Sequence, residues 1–489
     1  MRPTGSSVRW WPWLAGASVL LLAAALRLHG LFTAQLAQID EVSNLNQIDL
    51  PLFAGANANS NYLLTMLIGK ALHGVVDFPY LRLFPALGSV IALALVFITV
   101  RPLVSTGVAL VTILLMTLSW NLIYFARLFE VGAFDPIVTC SLMAIAARWL
   151  RHREETGWLL AGGVMLGVHF NSHVTPAGFA ILLYGGWLLF ACVAGALRWR
   201  VLAGVVVLTT LGMTPFFLTS MRSPTFGDAF DVPYGAFGRF DGVHWAINLR
   251  EPLKALRTLV EYATYFPLPA SAPLESGLVL GLLGLTGWAA LRTAAHPWKT
   301  YLAWMSFGSL ALHAISPAPI YDECNLHVFW PHFFGLLALM LAKTQRGLRA
   351  ALAIGALALV GCNFRWYHYL GERQVAVFSE MLDVELPHTR RVLVSDGAWL
   401  KLRMTDAWPR LEAKGAKVFF NGDPKAADPL AELPVGERVL LIQTYECPWP
   451  PPGHEREFAG EQLLDLNQLM ESYSTHGVQV FRVSRVVPR

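Results

Sequence analysis

Eleven apolar runs, several close to the length of a bilayer crossing, constrain this chain more than any other feature. A spanning helix needs about 20 mostly apolar residues. The runs cover residues 10–29, 81–100, 104–124, 131–150, 158–170, 174–197, 201–218, 278–291, 301–316, 326–342 and 350–364. The shorter ones borrow flanking residues to reach across. Composition agrees: 14% of residues are charged, against about 25% in ordinary globular domains. Mean hydropathy is +0.48. The 17 tryptophans suit a protein with two membrane–water interfaces to anchor. These features predict a polytopic helical membrane protein.

The first run, within "MRPTGSSVRWWPWLAGASVLLLAAALRLHGLF", is long and lacks a clear small-residue cleavage site. It is expected to stay as a membrane helix. Residues 62–73 are short and carry Lys70, which suits a helix lying in the interface better than a twelfth span. Positive charge then sets the orientation. With eleven spans, one set of ends gathers Arg2 and Arg9, Arg101, Arg148 to Arg153, Arg198 and Arg200, Arg292 and Lys299, and Lys343 to Arg349. The short loops on the other side carry little beyond Arg127. The N-terminus is therefore expected in the cytoplasm and the C-terminus outside. The compact layout and arginine- and alanine-rich composition point to a bacterial inner membrane with a periplasmic C-terminus.

Two long external loops follow, at about 30–80 and 219–277. The membrane domain is expected over 1–364, a connecting segment over 365–387, and a small external α/β domain over 388–489. In the last, "RRVLVSD", "KVFFNGD", "RVLLIQTY" and "VQVFRVSRV" are predicted strands, and "EQLLDLNQLMESYST" a predicted helix. Cys140, Cys192 and Cys362 lie in apolar runs and are expected as small core residues. Cys324 and Cys447 share the external side, where a disulfide between them stays open.

The charge distribution narrows the function. A net charge of +4, dispersed and without basic runs interleaved with aromatics, excludes a nucleic-acid partner. No P-loop, dinucleotide glycine fingerprint, G-x-S-x-G or H-E-x-x-H is present, so hydrolase and nucleotide-driven pump chemistries lack support. Acids cluster instead at the external edge. "QIDE" places Asp40 and Glu41 just after the first span, either as a solvated loop pair or as a general base or divalent-cation ligand; hard oxygen donors suit Mg²⁺ or Mn²⁺.

Three further stretches share that edge. "YFARLFEVGAFDP" sets Arg127, Glu130 and Asp135 within nine residues, either tying helix ends together or facing a phosphate and a second acid. "GVHFNSHVTP" holds His169, Asn171 and His173, whose spacing permits a metal but offers no third ligand nearby, so packing or hydrogen bonding is favoured. "PIYDECNLHVFWP" holds Tyr321, Asp322, Glu323, Asn325 and His327, either lining the same cavity or forming a polar loop.

On "QIDEVSNL", "YLRLFPALGSVIALALVFITVRPL" and "SWNLIYFARLFEVGAFDP", and more loosely on "GGVMLGVHFNSHVTPAG" and "NLHVFWPHFFGLLALMLA", the chain resembles the GT-C superfamily of polyprenyl-phosphate-dependent glycosyltransferases, in the group of protein O-mannosyltransferases and lipid A aminoarabinose transferases. The resemblance covers roughly residues 10–364. It implies Asp40 as catalytic base with Glu41 as companion, and Asp135 or Glu130 as a second acid. It further implies Arg127, Glu130, His173, Tyr321, Asn325 and His327 around the donor, and a cation (Mg or Mn) on Asp40 and Glu130. Arg127 lies eight residues before Asp135, where the family commonly has about five. The implied partners are a polyprenyl-phosphate-linked sugar and a lipid, glycan or protein acceptor. A transporter or flippase of a lipid-linked saccharide is the alternative, and a membrane scaffold a third. A transporter should carry discontinuous helices and polar residues near the midplane.

Overall fold

The computed structural model describes residues 10–32, 63–73, 75–76, 78–129, 131–222, 272–315, 327–364, 374–402, 405, 407–419, 435–444, 458–466 and 478–486. It separates into two compact units. One holds residues 1–28, 50–68 and 83–366; the other holds 29–49, 69–82 and 367–489.

The first unit is helical, and every apolar run forms helix. In chain order the helices are α1 (Trp11–Leu28), α2 (Leu63–His73, which runs on into the second unit), α3 (Leu83–Val100), α4 (Thr106–Thr117), α5 (Trp120–Phe125), α6 (Asp135–Arg151), α7 (Gly157–Phe170), α8 (Val174–Val193), α9 (Trp199–Arg222), α10 (Ala272–Arg292), α11 (Pro297–Ile315), α12 (Phe329–Lys343) and α13 (Arg346–Phe364). Among the described residues five helical stretches are long and apolar enough to cross a membrane: 11–28, 80–100, 132–151, 176–193 and 199–218. Shorter apolar helices cover 106–117, 157–170, 277–292 and 329–343. The run 104–124, expected as one span, is two helices, α4 and α5, with a break at Leu118–Ser119.

Large side chains fill the bundle and glycines set its closest approaches. Trp149 meets Trp187 edge-on at 5.3 Å, and Trp298 stacks on Tyr301 at 5.4 Å. A Cβ on Gly167 would lie 2.6 Å from the Thr209 carbonyl oxygen and 2.7 Å from the Gly212 Cα. Helices α7 and α9 therefore touch backbone to backbone, which only residues without a side chain permit. Cys140 and Cys192 are buried and Cys362 is half-buried.

The second unit carries a five-stranded sheet. Its elements are α14 (Gln374–Glu385), β1 (Arg391–Ser395), α15 (Asp396–Leu402), α16 (Ala407–Ala413), β2 (Lys417–Phe419), β3 (Arg438–Thr444), β4 (Phe458–Leu466) and β5 (Val478–Arg485), with strand order β2-β1-β3-β5-β4. Strands β1, β2 and β3 are parallel, and β5 runs antiparallel to both β3 and β4. Val375, Phe378 and Leu382 of α14 join Val392, Val394, Leu440 and Ile442 in one core. Helix α14, within residues 365–387, thus shares the core of the sheet.

One prediction is corrected here. "EQLLDL", expected as helix, lies in β4. A register shift between Gln462 and Leu464 explains the misreading. Phe458 packs with Phe481 and Val483 on one face, and Leu466 with Val478 and Val480 on the other. The extra residue at the bulge switches the phase of the side chains, so the adjacent leucines break the alternation that marks a strand.

Candidate functional site: a carboxylate held by three histidines

Helix α6 opens with Asp135, followed by Pro136 in the first turn, where the fixed proline φ suits a helix start. The dipole at that end favours a negative charge. Asp135 is fully buried, and three histidines from three other segments converge on it. His169, near the end of α7, sets Nε2 2.7 Å from Oδ1. His173, immediately before α8, sets Nδ1 2.7 Å from Oδ2, and His327, just ahead of α12, sets Nδ1 3.1 Å from the same oxygen. All three imidazoles are fully buried.

A carboxylate only accepts, so each facing nitrogen donates its N–H and the tautomers are set. Bonds to a charged group are among the stronger ones, and they offset the desolvation of a buried carboxylate. His169 Nδ1, on the far side of its ring, is buried with no hydrogen-bond partner among the described residues. The Phe125 ring meets His327 edge-on at 4.3 Å.

The turn carrying the first two histidines is itself anchored. Asn171 Nδ2 donates to the carbonyls of Gly167 at 2.8 Å and Gly212 at 2.7 Å. The Asn171 carbonyl accepts from the Leu64 N–H at 2.9 Å, fixing the start of α2. Arg127 is buried and donates from Nη1 to the carbonyls of Leu26 at 3.3 Å and Arg27 at 3.2 Å. It therefore caps the end of α1, which precedes Asp40 in the chain. Arg27, which the sequence reading passed over, is buried too and donates from Nε to Ser89 Oγ at 2.7 Å. A lone arginine inside an apolar run was the available signal.

The structure thus gathers Asp135, His169, His173 and His327, with Arg127 bound to the α1 carbonyls. Asp40, Glu41, Glu130, Tyr321, Asp322, Glu323, Asn325, Cys324 and Cys447 lie outside the described residues. The expected cation ligands, Asp40 and Glu130, are among these. At Asp135 the donor set is three N–H groups splayed around two oxygens, which fits a hydrogen-bonded hub and not the oxygen cage that Mg²⁺ or Mn²⁺ takes. Among the described residues one group has its possible ligand atoms within 4.8 Å of each other: His152, Glu154 and Glu155. Arg148 already binds Glu155 at 2.7 and 2.8 Å and holds its carboxyl below the usual range.

Residues 61–217 match the family model described as dolichyl-phosphate-mannose-protein mannosyltransferase. The crystal structure of ArnT from Cupriavidus metallidurans bound to undecaprenyl phosphate aligns over 97% of this chain and 98% of that chain, with TM-score 0.56 and 13% identity. The chain has the fold of ArnT. Two structures of the Archaeoglobus fulgidus oligosaccharyltransferase are also similar. One, tethered to an acceptor peptide, has TM-score 0.47 and 12% identity over 85% of this chain and 64% of that chain. The other, a complex with Zn and sulfate, has TM-score 0.48 and 11% identity over 88% and 68%. No curated protein matches the chain in sequence. The matched segment contains Arg127, Asp135, His169 and His173, and ends before His327.

Proposed function

We propose that this chain is an integral-membrane glycosyltransferase that moves a sugar from a polyprenyl-phosphate donor to an acceptor hydroxyl at the outer, periplasmic face. The observation that carries the reading is the segment 61–217, matched to a mannosyltransferase family, because it contains the buried Asp135 and two of its three histidines, His169 and His173. The full-length GT-C fold, with ArnT bound to undecaprenyl phosphate as its counterpart, supports the donor class.

In this reading Asp40 is the base and Glu41 its companion. Asp40 takes the proton of the acceptor hydroxyl as the oxygen attacks the anomeric carbon. The bond from that carbon to the phosphate oxygen breaks, and polyprenyl phosphate leaves with the bonding electrons. The transition state resembles an oxocarbenium ion, and direct displacement inverts the anomeric centre. Asp135 is a positioning residue. It braces the ends of α7, α8 and α12, and His327 is the root of the segment bearing Tyr321 and Asn325. Arg127 braces the end of α1, the helix that precedes Asp40 and Glu41 in the chain. Tyr321, Asn325 and Glu130 are assigned to the donor head group.

The test is sugar transfer in membranes holding equal amounts of wild type or Asp40→Asn, supplied with labelled polyprenyl-phosphate sugars and acceptor lipids. Asp40→Asn should lower the rate by roughly 10²–10⁴-fold, the usual contribution of a positioned base. Full activity in that variant would remove Asp40 from the role.

A further inference from the structure

At the end of α12 opposite His327 lies a cavity of about 810 Å³, between the C-terminal ends of α10 and α12 and the N-terminal ends of α11 and α13. From His327 to Lys343 along the helix is roughly 24 Å at 1.5 Å per residue, so this cavity is separate from the Asp135 hub. Its lining includes Arg292, Lys299, Lys343 and His296 and no carboxylate. Among the described residues none of its three cations forms an ion pair.

Some of the positive charge in this region has a structural task. Lys299 donates to the carbonyls of Ala290 and Thr293, both at 2.7 Å, and so caps α10. Arg349 does the same for α12, donating to the Thr344 carbonyl at 2.8 Å and that of Ala342 at 3.4 Å. The negative ends of both helices are thereby compensated. Arg292 and Lys343 are left over. Arg292 lies 4.2 Å above the Trp288 ring, which orients it without neutralising it. The surplus is felt locally: burial first, then Lys343 and Lys299, push His296 below its ordinary value.

We propose that this cavity holds the phosphate of an anionic lipid headgroup, with Arg292 and Lys343 as its cationic partners. Basic pockets between membrane helices at the inner edge recognise such headgroups. The lipid source is favoured over soluble phosphate by the rim. Trp288 is 51% exposed and Leu291 84% exposed on the same helix end, an interfacial aromatic beside an apolar flank.

The experiment titrates full-length protein in dodecyl maltoside with dioleoyl phosphatidylglycerol or dioleoyl phosphatidylcholine, and counts retained lipid by native mass spectrometry. Phosphatidylglycerol should be retained preferentially. The double variant Arg292→Gln/Lys343→Gln should weaken it by roughly tenfold or more and leave phosphatidylcholine unchanged. Both side chains are exposed, so an unchanged melting temperature is expected to accompany that loss. The charge-conserving Arg292→Lys/Lys343→Arg should restore retention. Displacement of phosphatidylglycerol by millimolar inorganic phosphate would overturn the lipid assignment in favour of a soluble phosphate. Equal retention of the two lipids, or no effect of the Gln pair, would overturn the site itself.

Discussion

His327 Nδ1 stands 3.1 Å from Asp135 Oδ2, although 192 residues separate the two in the chain. The start of α12 is thereby tied to the start of α6 through one carboxylate oxygen, and His173 shares that oxygen at 2.7 Å. Removing the carboxylate strands three buried N–H donors. Asp135→Ala is expected to cost about 3–5 kcal/mol, the range for breaking a buried charged pair from one side. Thermal unfolding of the full chain in detergent measures it. A loss below about 1 kcal/mol would mean that the histidines find other acceptors. In a double-mutant cycle, His327→Ala and Asp135→Asn should be non-additive by about 0.5–3 kcal/mol.

Arg127 holds two carbonyls at the end of α1 from a single nitrogen. Lysine keeps the charge but carries it on a compact, more strongly hydrated ammonium that is costlier to bury. Arg127→Lys should lower stability by about 1–3 kcal/mol and, on the proposed role of Asp40, also slow sugar transfer, because α1 leads into the segment that carries it. Transfer at the wild-type rate in a destabilised Arg127→Lys would separate the α1 end from the reaction.

Backbone contact between α7 and α9 makes Gly167 intolerant of a methyl group. Gly167→Ala should destabilise the bundle by about 1–3 kcal/mol through overpacking. Gly178, with nothing within 4 Å of the same added atom, is the control. Gly178→Ala should leave the melting temperature unchanged or raise it, since alanine favours helix. Equal effects at the two positions would contradict the packing.

His296 gives a pH dependence whose sign is determined. Burial is the main cause of its lowered value, with Lys343 and Lys299 adding to it; Arg292 and Arg153 complete the charged surroundings. The unfolded chain binds a proton there as pH falls through about 6.5, and the folded chain does so only at lower pH. The contribution is fully present above the unfolded value and is lost as pH falls through the folded one. His296→Gln should flatten the fall of melting temperature in that window. An unaltered slope would place the titration elsewhere.

Much of the helical bundle was legible because apolar runs need no partner to be recognised: each of the eleven forms helix. The strands at 391–395, 417–419, 438–444 and 478–485 were legible for a similar reason. The failure at β4 came from its bulge, which no local pattern reveals. At the site, "HFNSH" was visible as a polar turn, and Asp135 as an acid at a helix start. Their union was not visible, because the third imidazole arrives from residue 327 by tertiary packing alone. Arg27 escaped notice inside its apolar run, where a single charge scarcely alters the hydropathy.

The central claim is most directly tested by reconstituting purified protein in liposomes with a polyprenyl-phosphate sugar and an acceptor lipid, then measuring both products. Glycosyl transfer predicts one polyprenyl phosphate released for each sugar appearing on the acceptor, with the opposite anomeric configuration. Lipid-linked sugar that crosses the bilayer intact, with no phosphate released, would contradict the account and make the chain a transporter.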